Sequence, residues 1–262
     1  VGSWVKKIVR FVALLGSLAM VVVATTACGG DGETEPSPTA TATAAPAAET
    51  TAAPTTGATV EASGELESLL KAAALRLEDL PSGFILDEEK FITNEESAGG
   101  SSGGATLEDL NRFGRLLGYE ASYSRETAPD SSWVFLQVTM DVYRDSAGAG
   151  EHFELGRRQA SDPEFIKAFQ EGFAGASDVP DVSVSPMSFA EVGDDRIAFE
   201  VKITVHSAEL NTDVLSVTQS VAIRRGRGIG SIAVSAVGSP PPVQELEDLA
   251  RTLDQRLKDA LE

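Results

Sequence analysis

The chain has 262 residues, with 21 basic against 40 acidic side chains and a formal net charge of −19. Such an acidic surface argues against nucleic acid as a partner and against direct adsorption on anionic lipid, since both carry dense negative charge. A single cysteine excludes an intrachain disulfide, so any folded part must be held by its core.

The first ten residues carry Lys6, Lys7 and Arg10 and no acid; an uncharged apolar run follows over 11–27, and then Cys28-Gly29-Gly30. A basic start, an apolar middle and small residues at the cut form the physical signature of an export signal. The basic end stays in the cytoplasm while the apolar run partitions into the bilayer. The stretch Thr25-Thr26-Ala27-Cys28 resembles the lipobox of bacterial lipoprotein signal peptides. It departs from that pattern at Thr25, where an aliphatic residue is usual. The resemblance implies cleavage after Ala27, diacylglyceryl attachment to the Cys28 thiol and acylation of the new amino terminus by a fatty acid such as palmitate. Residues 1–27 are then a lipoprotein signal peptide, and the remainder is moored to the extracytoplasmic face of the cell membrane through lipid on Cys28. Two other readings fit the same residues. One is an ordinary signal peptide with an incidental cysteine. The other is an uncleaved anchor, although 17 apolar positions make only about 26 Å of helix against a ~30 Å hydrocarbon core. Without Lys6, Lys7 and Arg10 the balance is 18 basic against 40 acidic side chains, or −22.

Residues 28–63 are rich in Thr, Ala and Pro and almost free of large apolar side chains. Such a segment cannot bury enough surface to offset its ordering entropy, so it reads as a disordered linker. Its composition also suits an O-glycosylated stalk. Its reach is about 30–35 Å as a flexible coil and up to ~100 Å as extended polyproline II.

Residues 64–262 read as one domain. Leu66, Leu69, Leu70 and Ala73 predict a helix over 65–77, stopped by Pro81. The Pro81-Ser82-Gly83 turn leads into a strand over 84–93, and the polar, glycine-rich stretch 94–104 reads as a loop. Thr106 and Asp109 open a helix in capping-box style, with Leu107, Leu110, Phe113 and Leu117 inward and Gly118 as its cap. Strands follow over 119–125 and 133–144. In the second, Val134, Leu136, Val138, Met140 and Val142 alternate with Trp133, Phe135, Gln137, Thr139, Asp141 and Tyr143. A helix carrying Ala149 and Phe153 comes next. Asp162-Pro163 then starts another, with Phe165, Phe169 and Phe173 on one side. Four strands, over 182–189, 196–206, 213–225 and 229–237, are joined mostly by short turns and so lie antiparallel. The last helix, over 242–261, carries the stripe Leu246, Leu249, Ala250, Leu253 and Leu257, with Glu247/Arg251 and Asp254/Lys258 as exposed pairs. The fold class is therefore α+β: an antiparallel sheet of about seven strands with packed helices.

The stretches 79–84 (DLPSGF), 118–120 (GYE) and 144–149 (RDSAGA) resemble an uncharacterised group of bacterial lipoprotein domains, whose element order is similar to that of PsbP-like folds. That resemblance implies a binding or scaffolding fold and no activity.

Candidate chemistry is sparse. Residues 99–103 match GxSxG, as do 100–104, but no apolar strand precedes either serine to thrust it outward, so a low-complexity loop is the better reading. Gly226, Gly228 and Gly230 with Arg224, Arg225 and Arg227 suggest a phosphate cradle, yet a strand rather than a helix follows; a hairpin turn that leaves a basic spot fits better. His152 and His206 lie on different elements and read as solvated, because zinc sites need several ligands at short spacing. The acidic groups Asp87-Glu88-Glu89, Glu95-Glu96 and Asp194-Asp195 read as solvated turns and strand ends. Trp133, Phe135 and Tyr143 read as core beneath a helix, with a ligand-facing patch as the alternative. No cofactor or metal is expected. The expectation for function is a membrane-anchored extracytoplasmic binding module without catalysis, its small-molecule or protein ligand unidentified. The alternatives are a lipid carrier with an apolar cavity and a hydrolase with a dispersed active site.

Overall fold

The computed structural model describes residues 56–99, 105–125, 133–164, 166–167, 170, 181–207, 211–240 and 242–262. In chain order these form α1 (Thr56–Ala73), a 3-10 turn (Leu77–Asp79), β1 (Ile85–Ile92), α2 (Asn94–Gly99), α3 (Leu107–Arg112), β2 (Arg115–Ser124), β3 (Trp133–Tyr143), α4 (Ser146–Ser161), β4 (Asp181–Pro186), β5 (Asp195–Ser207), β6 (Thr212–Arg225), β7 (Gly228–Val237) and α5 (Val243–Leu261). The signal, Cys28, the GxSxG serines and the Phe165/Phe169/Phe173 stripe lie outside the described residues. Among the described residues no helix is long and apolar enough to cross a membrane.

The seven strands form one antiparallel sheet in the order β1-β2-β3-β7-β6-β5-β4. Two meanders, β1 to β3 and β4 to β7, are sewn together by the β3–β7 pairing at its centre. The fold is thus the expected α+β class.

One face of the sheet carries the main core. Leu136, Val138, Met140 and Val142 of β3 join Ile232 and Val234 of β7 and Val221 and Ile223 of β6, all nearly inaccessible. The amphipathic stripe of α5 and Leu70 and Ala73 of α1 close this face. The α5 stripe is buried as expected from its spacing, and Glu247 pairs with Arg251 at 3.2 Å. Asp254 does not pair with Lys258; it holds Arg225 of β6 at 2.6 Å, because its position on α5 faces that strand end.

Several expectations need correction. α1 starts at Thr56, within the segment read as linker, and ends at Ala73 rather than 77. Residues 94–99 form a short helix instead of a loop. Thr93 and Glu96 cap it reciprocally, the Glu96 amide donating to Thr93 Oγ1 (3.2 Å) and the Thr93 amide to Glu96 Oε2 (2.9 Å). The capping box at Thr106 and Asp109 is present, but α3 ends at Arg112. Gly114, at φ 70°, ends this six-residue helix two positions past Arg112, and Leu117 becomes a strand residue. Gly118 therefore caps nothing; it sits in β2.

β3 departs from strict alternation. Trp133 pairs with Ala236 and Phe135 with Ser235, so Val134 is an extra residue, a bulge. The bulge sends Trp133 into the main core and turns Val134 and Phe135 to the opposite face, beside Val237. The expected aromatic face is split as a result. Tyr143 packs separately with Phe113 and Ala149 beneath α4.

Candidate functional site

The sheet face opposite the main core is also buried, and its chemistry is different. Residues directly paired across an antiparallel ladder share a face. The register places Gln137, Ala233, Ser220 and Phe199 in one row across β3, β7, β6 and β5. The next row holds Phe135, Ser235, Thr218 and Val201. Beyond it, Ser216 sits opposite Val237 and Ile203. Small residues thus fill the two central strands, and Phe135, Phe199, Val201 and Ile203 flank them.

These polar side chains are out of solvent: Gln137 is 5% exposed, Ser216 0%, Thr218 0%, Ser220 3% and Ser235 1%. Thr218 and Ser235 satisfy each other at 2.8 Å. Gln137 Oε1, Ser216 Oγ and Ser220 Oγ have no hydrogen-bond partner among the described residues. Burying an amide or hydroxyl without a partner is costly, so three such atoms on one patch call for an explanation. Nothing at sequence level flagged them individually. The signal was a period of two in small side chains along β6 (Ser216, Thr218, Ser220) and β7 (Ser231, Ala233, Ser235), on strands whose other face is mostly apolar.

α4 crosses one end of this face. Asp145 caps it, its carboxylate accepting from the Gly148 amide at 2.9 Å. A Cβ at Gly148 would lie 1.8 Å from the Phe113 carbonyl oxygen, so this turn of the helix sits directly against the end of α3. From the inner side of α4, His152 stacks on Phe113 with ring centroids 5.2 Å apart and hydrogen-bonds the Tyr143 hydroxyl through Nδ1. The expectation of a solvated His152 is therefore corrected. Burial pushes its pKa below the ordinary histidine value and pushes the Tyr143 phenol up, so the pair is neutral. His206 is exposed and pairs with Asp213 at 2.9 Å.

Beside this pair Arg115, 3% exposed, holds Asp141 at 2.7 Å. It also donates to Asn94 Oδ1 at 2.8 Å and to the Ile92 carbonyl at 3.2 Å. Gly118 makes the room: a Cβ there would lie 2.0 Å from an Arg115 nitrogen.

The basic spot at Arg224, Arg225 and Arg227 is spent internally. Arg224 pairs with Asp195 at 2.7 Å and Arg225 with Asp194 at 3.1 Å as well as with Asp254. Arg227 donates to the Tyr143 carbonyl at 3.3 Å. Asp194 also accepts from the Gly226 amide at 2.8 Å. The Asp194-Asp195 group is thus a latch between two hairpins rather than a solvated turn. Hydrogen bonds from Arg224, with Arg157 adding to them, hold the Asp195 carboxyl below its usual range. Glu89 likewise binds Lys71 at 2.7 Å and Tyr119 at 2.8 Å. Among the described residues no group of three or more His, Cys, Asp or Glu side chains is arranged to hold a metal.

No protein-family model matches the chain, and no curated protein matches it in sequence. Among solved structures it is similar to the extracellular domain of PknH from Mycobacterium tuberculosis, at 11% identity and a TM-score of 0.42, over 73% of this chain and 96% of that one. At that level the likeness transfers no function, and the resemblance to PsbP-like domains rests on short motifs alone. Those motifs have structural work to do. Asp79 pairs with Arg256 of α5 at 2.8 Å, Gly83 takes φ 93° in the turn before β1, and Asp145 caps α4.

Proposed function

We propose that the protein is an extracytoplasmic binding module, moored to the cell membrane by lipid on Cys28 and without catalytic activity. The observation that carries the binding reading is the set of buried, unpartnered polar atoms on Gln137, Ser216 and Ser220. The core face holds two such atoms, Trp133 Nε1 and Gln219 Oε1, and this patch three; a ligand that reached the patch would satisfy them. Two further features support binding over hydrolysis. Among the described residues neither histidine hydrogen-bonds a serine: His152 is engaged by Tyr143 and His206 by Asp213. A nucleophilic serine needs a base within hydrogen-bond reach. The same polar atoms weigh against a carrier of hydrocarbon chains, which would leave all three unsatisfied.

The test is a thermal-shift screen of a broad small-molecule library against the full chain, repeated with Gln137→Leu and Ser216→Ala. Ligands that raise the midpoint of the native protein and lose that effect in the variants are expected. Steady turnover of a library compound would overturn the reading. Mooring is checked apart from this, by intact mass of the cell-derived protein and by fractionation of Cys28→Ala. An acyl adduct on the native chain and release of the variant from membranes are expected.

A further inference from the structure

We infer that α4 is an acid-released strap: a proton on His152 undocks this helix from the sheet while the main core stays folded. This device is independent of what the module binds. α4 is weakly held to begin with. Its buried apolar side chains are Ala149 and Phe153, against five on α5. Gly148, Gly150 and Gly156 lie within it, and glycine is the poorest helix former after proline. Ala149 packs with Phe113 and Tyr143 in a cluster of its own, apart from the core that α1 and α5 close. A helix attached in this way can open by itself, at less cost than global unfolding. Its release bares Tyr143 and Ile229, at the ends of β3 and β7.

His152 is the polar part of that attachment. Its Nδ1 meets the Tyr143 hydroxyl, which is 0% exposed and has no other hydrogen-bond partner among the described residues. With the ring neutral, the hydroxyl donates to Nδ1 and no buried proton goes unpaired. A proton on Nδ1 sets two donors against each other, and the hydroxyl proton has no second acceptor to turn to.

The neighbouring acids are already engaged. Asp141 of β3 is bound by Arg115 of β2 at 2.7 Å, and Asp109 of α3 by Arg112 at 2.9 Å. Glu151, on α4 itself, also meets Arg112, at 3.3 Å. Arg112 lies over the Phe113 ring at 4.4 Å, the ring on which His152 stacks, so an imidazolium would share it with a guanidinium. Two more cations stand close by: Arg144 follows Tyr143 in the chain, and Arg227 donates to the Tyr143 carbonyl at 3.3 Å. Burial holds the docked ring below the ordinary histidine value, whereas release returns it to water, where it takes a proton near about pH 6.5. Acid therefore favours the released helix.

The test is hydrogen exchange of the full chain, read peptide by peptide at pH 7.5 and 5.5 and corrected for the intrinsic pH dependence of exchange. Ordinary carboxylates titrate near about pH 4, below this window. Peptides of α4 are expected to open several-fold more often at pH 5.5, one proton setting a ceiling of about tenfold, while β6 and α5 keep their protection. His152→Gln should abolish the change, and His206→Gln, which removes the other histidine, should keep it. An acid response that survives in His152→Gln, is lost in His206→Gln or is shared equally by β6 and α5 would overturn the inference, as would α4 exchange that ignores pH. Should His152→Gln leave α4 open already at pH 7.5, the His152 ring resonance of the His206→Gln chain decides. A ring still neutral at the pH where α4 opens overturns the strap; a ring that takes its proton as α4 opens upholds it.

Discussion

The two faces of this sheet are equally dry and differently built. On one, Leu136, Val138, Met140 and Val142 meet the leucines of α5, and apolar area alone accounts for their burial. On the other, Gln137 and Ser220 are as inaccessible as a core leucine while parts of their hydrogen-bonding capacity go unused. Burial by itself therefore says nothing about what a face is for. The distinguishing feature is how much polar surface each face takes from water: the core face buries Trp133 and Gln219 with unpartnered Nε1 and Oε1, whereas the other buries Gln137, Ser216, Thr218, Ser220 and Ser235.

Substitution can break or sharpen that contrast. The largest effect belongs to the apolar face: Leu136→Ala leaves a cavity among fully packed neighbours and is expected to cost about 2–5 kcal/mol in urea denaturation. Its counterpart Ser220→Ala removes an unpaired hydroxyl, so its stability should change by less than about 1 kcal/mol or rise. Equal losses at the two positions would erase the difference between the faces.

Next comes the charged end of the polar face. Arg115→Leu strips Asp141 of its countercharge and Asn94 of a donor, and a loss of about 3 kcal/mol is expected by the same measurement. Gly148→Ala forces α4 away from the Phe113 carbonyl, with an expected loss of about 1–3 kcal/mol.

The smallest effect is the pH response of His152. Its folded-state pKa is depressed, chiefly by burial, so the folded chain binds fewer protons than the unfolded chain in the window below about 6.5. Stability contributed by the neutral ring is full above that pH and falls as the pH drops through the window. His152→Gln should flatten the midpoint-versus-pH curve there. An unchanged slope would show that another group titrates.

Much of the fold was readable from residue pattern. The stripe of α5, the Thr106/Asp109 cap and the alternation of β3 and β5 each follow from local geometry and one apolar face. The misreadings share a cause. Apolar spacing carried α3 on to Leu117, whereas Gly114 in the left-handed region ends it; the same four-residue spacing suits helix and strand when a turn intervenes. A bulge at Val134 inverts Trp133, and no period-two pattern reports an inserted residue. The candidate site was nearly silent because serine and threonine on alternate positions read as a solvated face until something is seen to cover it.

The sequence by itself determined the strands, the main helices, the α+β class and the acidic exterior, because each depends on neighbours within a few residues and on the sum of charges. Tertiary structure alone decided that β7 pairs with β3 at the centre of the sheet, that Arg224 and Arg225 are neutralised by Asp194, Asp195 and Asp254, and that a polar row lies buried. Those outcomes depend on contacts between residues far apart in the chain, which local periodicity does not encode.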